Sequence, residues 1–327
     1  MKIIFYVGTG GPGAWDSRNI EQGIGGSEES LIYVSKELVR LGHDVHVYNG
    51  RDTRYRDESG VVWLPHTQAL EPCDIFIAFR QWRFTELSTG KRTYLIEQDW
   101  PVEPHFSPEA KALVEQGKFK MILLNEHHRN QDGVAPEHAF ICSNGVDLKQ
   151  FDQVVGRTIG KCVYFSHPDR GLDKLRAYWT KIRMEVPYAT LHAFWWQSEC
   201  FRPPNESIGI MPMRNLGHMQ LAKEILSADL FTYPSIFTPE ISPVSCIKAQ
   251  VGGAWPVVVI AGGMVDTIQF GDISSHERFA DDVINALRNP VGHESHRKQM
   301  MVKSRERYSW VTIAKSWELE FEKELSK

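Results

Sequence analysis

The chain is expected to fold as α/β, with two doubly wound parallel sheets in separate domains. Short apolar runs recur along it at the spacing of alternating strands and helices. They read as buried on both faces, the pattern of parallel strands covered by helices on each side. A length of 327 residues suffices for two hydrophobic cores.

In the first half, Ile3 to Val7 reads as the opening strand and is followed by a long Gly-rich loop. A helix is predicted over Ser27 to Leu41: Ser27 caps it, Glu28 and Glu29 suit its positive first turn, Leu31, Val34, Leu38 and Leu41 share a face, and Gly42 ends it. Strands are then predicted at Val45 to Tyr48, Val61 to Leu64, Ile75 to Phe79, Tyr94 to Ile96, Met121 to Leu124 and Ala139 to Cys142. The second half repeats the scheme, with strands at Cys162 to Phe165, Leu191 to Phe194, Asp229 to Tyr233 and Val257 to Ile260. Its helices are predicted at Asp173 to Met184, Leu216 to Ser227, Ser242 to Val251 and Glu277 to Leu287. A last helical stretch, Trp310 to Leu325, carries Trp310, Ile313, Ala314, Trp317, Phe321 and Leu325 on one face.

Hydrophobic content of 42% and charged content of 24% suit a globular enzyme. No apolar run approaches the roughly 18 residues of a membrane helix, and no signal-peptide cleavage region follows Val7, so a cytoplasmic protein is expected. The five cysteines, Cys73, Cys142, Cys162, Cys200 and Cys246, are widely spaced and never form Cys-x-x-Cys, which points to buried thiols rather than disulfides or zinc. A net charge of -4 offers no global attraction for nucleic acid or an anionic membrane, although a local basic face would be compatible with it.

Several segments combine a strand end with polar groups, where parallel α/β sheets bind ligands. Gly8 to Gly13 matches G-x-G-x-x-G, but that fingerprint needs a helix to open at once on the pyrophosphate, and here a loop intervenes. Gly23-Ile-Gly-Gly26 lies directly before the predicted helix and is the better phosphate or sugar cradle. Tyr94-Leu-Ile-Glu-Gln-Asp99 ends a strand with Gln98 and Asp99. Asn125-Glu-His-His-Arg129 follows another strand, and its adjacent histidines point to different faces, so they read as solvated loop residues rather than metal ligands. Trp195-Trp196 reads as core packing or a stacking platform, and Asn205-Glu-Ser207 as a chance match to the glycosylation pattern. Most informative is Tyr233 to Ile260, where a strand runs into a Pro-rich loop bearing Glu240, then into a helix closed by Gly252-Gly253. A helix start offers unpaired N–H groups to an anion, and a carboxylate beside it accepts from hydroxyls, which together suit a nucleotide sugar.

The run YPS-(x)4-E-(x)4-SCIKAQVGG-(x)2-PVV resembles the C-terminal signature of retaining GT-B glycosyltransferases of the family 4 type. Gly25-Gly26, Asn144-Gly145-Val146 and Arg170-Gly171 stand in the family's order, and the likeness spans nearly the whole chain. It implies two Rossmann-like domains facing across a cleft: an acceptor-side domain over residues 1–152, a nucleotide-sugar-binding domain over 153–308, and a helix over 309–327 crossing back to the first. It implies transfer of a sugar from a nucleoside diphosphate to an acceptor hydroxyl, with no metal and no cofactor. The acceptor is left open among glycan, lipid, protein, small molecule and modified DNA base.

By the same resemblance, Arg170 neutralises the donor diphosphate together with the helix start at Ser242 and Val244; the family's second basic residue has no direct counterpart, and Lys174 or His167 is expected to substitute for it. Gly25 and Gly26 lie by the donor phosphates and the acceptor side, Met213 and Arg214 lie at the base, and Glu240 orients the sugar hydroxyls. Gln98 and Asp99 occupy the catalytic-side positions. Two departures stand out. Gln98 replaces a family histidine and cannot titrate near neutral pH. Lys248 replaces the second carboxylate of Glu-x7-Glu; an ammonium has donors only, so it cannot accept from ribose hydroxyls and is expected to serve the diphosphate instead. Two further readings stand beside transfer: a scaffold of this fold that binds nucleotide sugar without turnover, and a nicotinamide-dependent oxidoreductase using Gly8 to Gly13.

Overall fold

A computed structural model describes residues 1–9, 14–99, 106–194, 208–213, 216–236 and 240–327. The chain divides into two compact units, the first comprising Met1–Ile20, Ile24–Gly145 and Ser309–Lys327, the second Glu21–Gly23 and Val146–Tyr308. Residues 146–152, which the sequence assigns to the first domain, thus pack with the second. The reason is visible at Phe151, which is 2% exposed in the second unit's core and whose ring lies against Gly252.

Eight strands form the first unit's sheet: β1 (Lys2–Tyr6), β2 (Asp44–Asn49), β3 (Tyr55–Arg56), β4 (Val62–Pro65), β5 (Cys73–Phe79), β6 (Gly90–Ile96), β7 (Lys120–Leu123) and β8 (Ala139–Ile141). Their order is β3-β4-β2-β1-β5-β6-β7-β8, parallel except for the β3 edge. Three helices connect them: α1 (Gly26–Arg40), α2 (Pro108–Glu115) and α3 (Glu126–Asp132). Successive residues of β1 explain why its apolar run does not alternate with polar residues. Ile3 and Phe5 join one core with Leu31 and Leu38 of α1, while Ile4 and Tyr6 join a second core on the opposite face with Ala110 and Val114 of α2.

The C-terminal helix (Trp310–Leu325) completes the first of these cores through Trp310, Ile313, Trp317 and Phe321. Lys120 Nζ meets Glu320 at 2.5 Å and Glu324 at 3.1 Å, and Arg92 Nε donates to the Glu324 carbonyl. Gly145 is needed here because a Cβ would lie 2.7 Å from the Trp310 ring and 2.8 Å from Ile313.

The second unit's sheet contains β9 (Lys161–Tyr164), β10 (Thr190–Phe194), β11 (Ile210–Met213), β12 (Leu230–Pro234), β13 (Trp255–Val259) and β14 (Asp272–Ser274), all parallel, in the order β11-β10-β9-β12-β13-β14. Its helices are α4 (Leu172–Glu185), α5 (His218–Ser227), α6 (Val244–Gly252), α7 (Met264–Thr267), α8 (Phe279–Arg288) and α9 (Glu294–Tyr308). Below α6 a buried guanidinium serves as a bracket. Arg297 donates to Asp229 Oδ1 at 3.0 Å and to the carbonyls of Asp229 and Gly253, tying α9 to the start of β12 and the end of α6.

Several sequence expectations need correction. The cap of α1 is Gly25, so Ser27 lies inside the first turn. The Glu28 carboxylate at the third helical position folds back against Gly25, and a Cβ there would have to displace it. The helix before Gly252 starts at Val244, not Ser242, because Pro243 is its cap. His127 and His128 are on α3, which Asn125 caps by accepting from the His128 N–H at 2.8 Å, and not in a solvated loop. His128 is fully buried, with Nε2 3.7 Å from Asp132 Oδ2.

That pair generates a test. Burial pushes the His128 pKa down to about 4 and the Asp132 pKa up to about 7. Between pH 4 and 6.5 the folded pair therefore holds one proton, on Asp132. The unfolded pair also holds one, on His128, because the ordinary values are 6.5 and 3.8. The pair contributes no pH slope to stability in that window. Asp132→Asn removes the cancellation: the unfolded state then binds the extra proton, and stability should fall on acidification from 6.5 to 4 by about 1.4 kcal/mol per pH unit more than in the parent. His128→Gln should do the opposite, losing stability as pH rises from about 4 to about 7. Denaturant titrations across this range check both signs.

Candidate functional site

In the second unit, two loops meet at the carboxyl ends of the adjacent strands β9 and β12. Pro168–Arg170 forms a short 3-10 turn that leads through Gly171 into α4. Gly171 has φ +131°, and a Cβ there would strike the Pro234 carbonyl oxygen at the end of β12. Only glycine combines that backbone with such an approach. The contact brings Arg170 to Glu240: Nη1 donates to Oε1 at 2.7 Å, with Glu240 2% and the Arg170 side chain 36% exposed.

The Tyr233 hydroxyl donates to the same Oε1 at 2.6 Å, and the Glu240 carbonyl accepts from the Gly263 N–H at 2.7 Å. Burial opposes the charge on Arg170, but Glu240 and Tyr233 outweigh it and hold its pKa above the ordinary value. The sequence treats Glu240 as a pure ligand contact outside the core. The structure instead buries it and makes it the acceptor that satisfies two other side chains.

Helix α6 begins four residues after Glu240. Its first turn contains no acidic residue and no side chain caps it, so its N–H groups and positive end suit an anion. Val244 opens this turn, and Ser242 lies just before it, its hydroxyl 3.4 Å from that of Thr267. Lys248 lies one turn further along α6 and is 6% exposed. Lys174 is exposed near the start of α4. Met213 ends the edge strand β11, paired with Phe194, and is half-buried. Arg214, Trp195, Trp196, Asn205 and Ser207 lie outside the described residues, as do residues 10–13 of the Gly8 to Gly13 run.

In the first unit, Gly25 and Gly26 are exposed at the start of α1, but Glu28 and Glu29 in its first turn are 7% and 2% exposed. These carboxylates already occupy the positive helix end, so this terminus favours hydroxyl or amine groups over phosphate. Among the described residues, the element that follows Gly8 is a short 3-10 helix at Ser17–Gln22, and residues 10–13 of the Gly8 to Gly13 run lie outside them.

Gln98 and Asp99 follow β6 and both donate backbone N–H to Glu97 Oε1, at 2.9 and 3.1 Å. Glu97 is wholly buried, and burial raises its pKa well above the carboxylate range, with Asp99 and Asp132 adding to the effect. The Gln98 amide pairs reciprocally with the Asn144 amide, both bonds at 3.2 Å. Asp99 forms an ion pair with Arg80. Among the described residues no group of three His, Cys, Asp or Glu side chains is placed to hold a metal ion.

Sequence reasoning passed over Arg80, Glu97, Ser166 and the Tyr233 hydroxyl. Arg80 has φ +63°, the left-handed region that a non-glycine residue occupies only when its surroundings impose it. Its N–H is held by the Ile96 carbonyl at 2.9 Å. A polar residue directly after a buried strand was the available signal for Arg80 after β5, as it was for Glu97 after β6. For Tyr233 the signal was a phenol at a buried strand end, which needs a partner for its O–H.

No protein-family model matches the chain, and no curated protein matches it. Solved structures do. HepE of Anabaena, crystallised with UDP-glucose, is 14% identical with a TM-score of 0.67 over 100% of this chain and 99% of that one. WaaG, a glycosyltransferase of lipopolysaccharide biosynthesis, is 11% identical with a TM-score of 0.68 over 97% and 98%. The pneumococcal O-GlcNAc transferase GtfA, with UDP and GlcNAc, is 10% identical with a TM-score of 0.68 over 99% of each chain. TarM of S. aureus is 16% identical with a TM-score of 0.59, and the chain covers only 54% of its length. The two parallel α/β units have the GT-B fold of these glycosyltransferases.

Proposed function

We propose that the protein is a retaining glycosyltransferase that moves a sugar from a nucleoside diphosphate to an acceptor hydroxyl, without a metal ion. The observation carrying this reading is the Arg170–Glu240 pair beside the non-acidic start of α6. A guanidinium and a helix end supply the fixed positive potential that a departing diphosphate requires, and a carboxylate next to them accepts from sugar hydroxyls. Lys248, buried on the same helix, adds a second cation for the diphosphate, and Lys174 a third at longer reach. Met213 and Arg214 are assigned to the base.

In the first unit, the acidic first turn of α1 behind Gly25 and Gly26, and the Arg80–Asp99 pair, are assigned to the acceptor. Gln98 serves by holding Asn144. Catalysis on this reading is positioning and electrostatics, and acts inside the cell on an acceptor whose class the site does not select.

A panel of nucleotide sugars screened by thermal shift, followed by mass spectrometry of candidate acceptors, tests the assignment. A donor that stabilises the protein and is transferred supports it. Stabilisation by NAD and by no nucleotide sugar contradicts it, and binding without transfer or hydrolysis favours the non-catalytic scaffold.

Arg170→Ala should weaken UDP binding tenfold or more while affecting uridine much less, since only the diphosphate meets the guanidinium. Equal losses for both ligands would make Arg170 structural. Lys248 as a diphosphate cation predicts that UDP-glucose and its 2′-deoxyribose analogue bind alike, and that Lys248→Glu weakens both. Strong preference for the 2′-hydroxyl in the parent, or tighter binding in Lys248→Glu, would contradict this role.

A further inference from the structure

Glu240 receives two donors on one oxygen, and they differ in their access to solvent. Tyr233, the fourth residue of β12, is 0% exposed, with its ring packed against Phe231 at 5.5 Å and Tyr164 at 5.7 Å between centroids. Its hydroxyl is 2.6 Å from Glu240 Oε1 and 3.2 Å from Ser166 Oγ. A phenol carries one proton, and a carboxylate can only accept, so the Tyr233 proton points at Glu240 and the Ser166 hydroxyl donates to Tyr233. The direction of the chain is thereby set: Ser166 to Tyr233 to Glu240. Burial, with the Glu240 charge next, pushes the Tyr233 pKa up, which keeps the phenol protonated and a donor.

Arg170 reaches the same Oε1 from a position 36% exposed. A diphosphate arriving from solvent competes with Glu240 for that guanidinium. It does not reach the Tyr233 hydroxyl in the same way, because Tyr233 is buried. Among the described residues, both side-chain donors lie on Oε1, which leaves Oε2 as the oxygen with which the carboxylate would meet a ligand.

We propose that Tyr233, oriented by Ser166, is the positioning residue of the site: it holds Glu240 Oε1 while Arg170 turns to the diphosphate, and so keeps Oε2 aimed at a sugar hydroxyl. Without it, a carboxylate 2% exposed would lose its partner at the moment of donor binding and would have to rotate to find another. The Gly263 N–H on the Glu240 carbonyl fixes the backbone but leaves the side chain free to turn. This inference rests on the reading of Glu240 as the sugar contact.

Tyr233→Phe keeps the ring and removes the hydrogen bond. The experiment compares parent, Tyr233→Phe, Ser166→Ala and Glu240→Gln for calorimetric affinity to UDP and UDP-glucose, and for UDP release from UDP-glucose with water as acceptor. In Tyr233→Phe, UDP affinity should stay within twofold of the parent, the extra affinity of UDP-glucose over UDP should vanish, and the hydrolytic kcat should fall tenfold or more. Ser166→Ala should move in the same direction by about threefold, as expected for losing a neutral hydrogen bond one step removed. Parallel loss of UDP and UDP-glucose affinity would make Tyr233 merely structural and overturn the proposal. Parent-like hydrolysis in Tyr233→Phe with Glu240→Gln inactive would overturn it alone. Parent-like hydrolysis in Glu240→Gln, or a parent that binds UDP-glucose no better than UDP, would overturn the reading of Glu240 beneath it.

Discussion

A carboxylate 2% exposed needs compensating charge and hydrogen bonds, and the arrangement around Glu240 follows from that need. Arg170 supplies the charge, and Tyr233 supplies a neutral donor. For Arg170 to be there, the turn after β9 must lie against the end of β12. That requires a glycine at 171, whose Cα sits under the Pro234 carbonyl. The Ile236 N–H to the Arg170 carbonyl ties the two loops a second time. Residues 70 positions apart are thus fixed by two backbone contacts and one ion pair. Because Arg170 is the solvent-facing member, the pair can be exchanged for a ligand without dismantling the loops.

The starts of α1 and α6 show how the same helix geometry is directed to different partners. Both follow a strand and a loop in a parallel sheet, and both present N–H groups and a positive dipole end. Helix α1 fills its own end with Glu28 and Glu29, which are nearly inaccessible. Helix α6 carries no acid in its first turn and starts four residues beyond Glu240. The difference in potential is what the proposal uses to give the anionic part of a donor to the second unit, the start of α6 being the one of the two ends left open to an anion.

The α/β architecture was legible because parallel strands buried on both faces leave continuous apolar runs, and β1, β2, β5, β9 and β12 stand within a few residues of where those runs place them. The elements passed over are those that packing, not periodicity, creates. Helix α9 buries Met300 and Tyr308 but is anchored by the guanidinium of Arg297, and outside Met300-Met301-Val302 and Tyr308 its sequence is polar and shows no apolar stripe. Strand β11 contains Pro212 and is tolerated because it is an edge. At the site, Arg170 and Glu240 were each legible as polar groups beside helix starts. Their union was not, because it depends on Gly171 meeting Pro234 across two strands. Burial of His128 was hidden for a similar reason: adjacent histidines on a strand-to-helix corner look identical in sequence whichever of them turns inward.

The sharing of Arg170 in turn by Glu240 and a diphosphate is the central proposal. Its most direct test is the affinity of free UDP for Glu240→Gln, measured by calorimetry beside the parent. Removing the carboxylate's charge while keeping its shape releases the guanidinium, so UDP should bind at least as tightly as to the parent, even though the sugar contact is impaired. A tenfold or greater loss of UDP affinity in Glu240→Gln would show that the carboxylate organises the diphosphate site rather than competing with it, and would contradict the exchange.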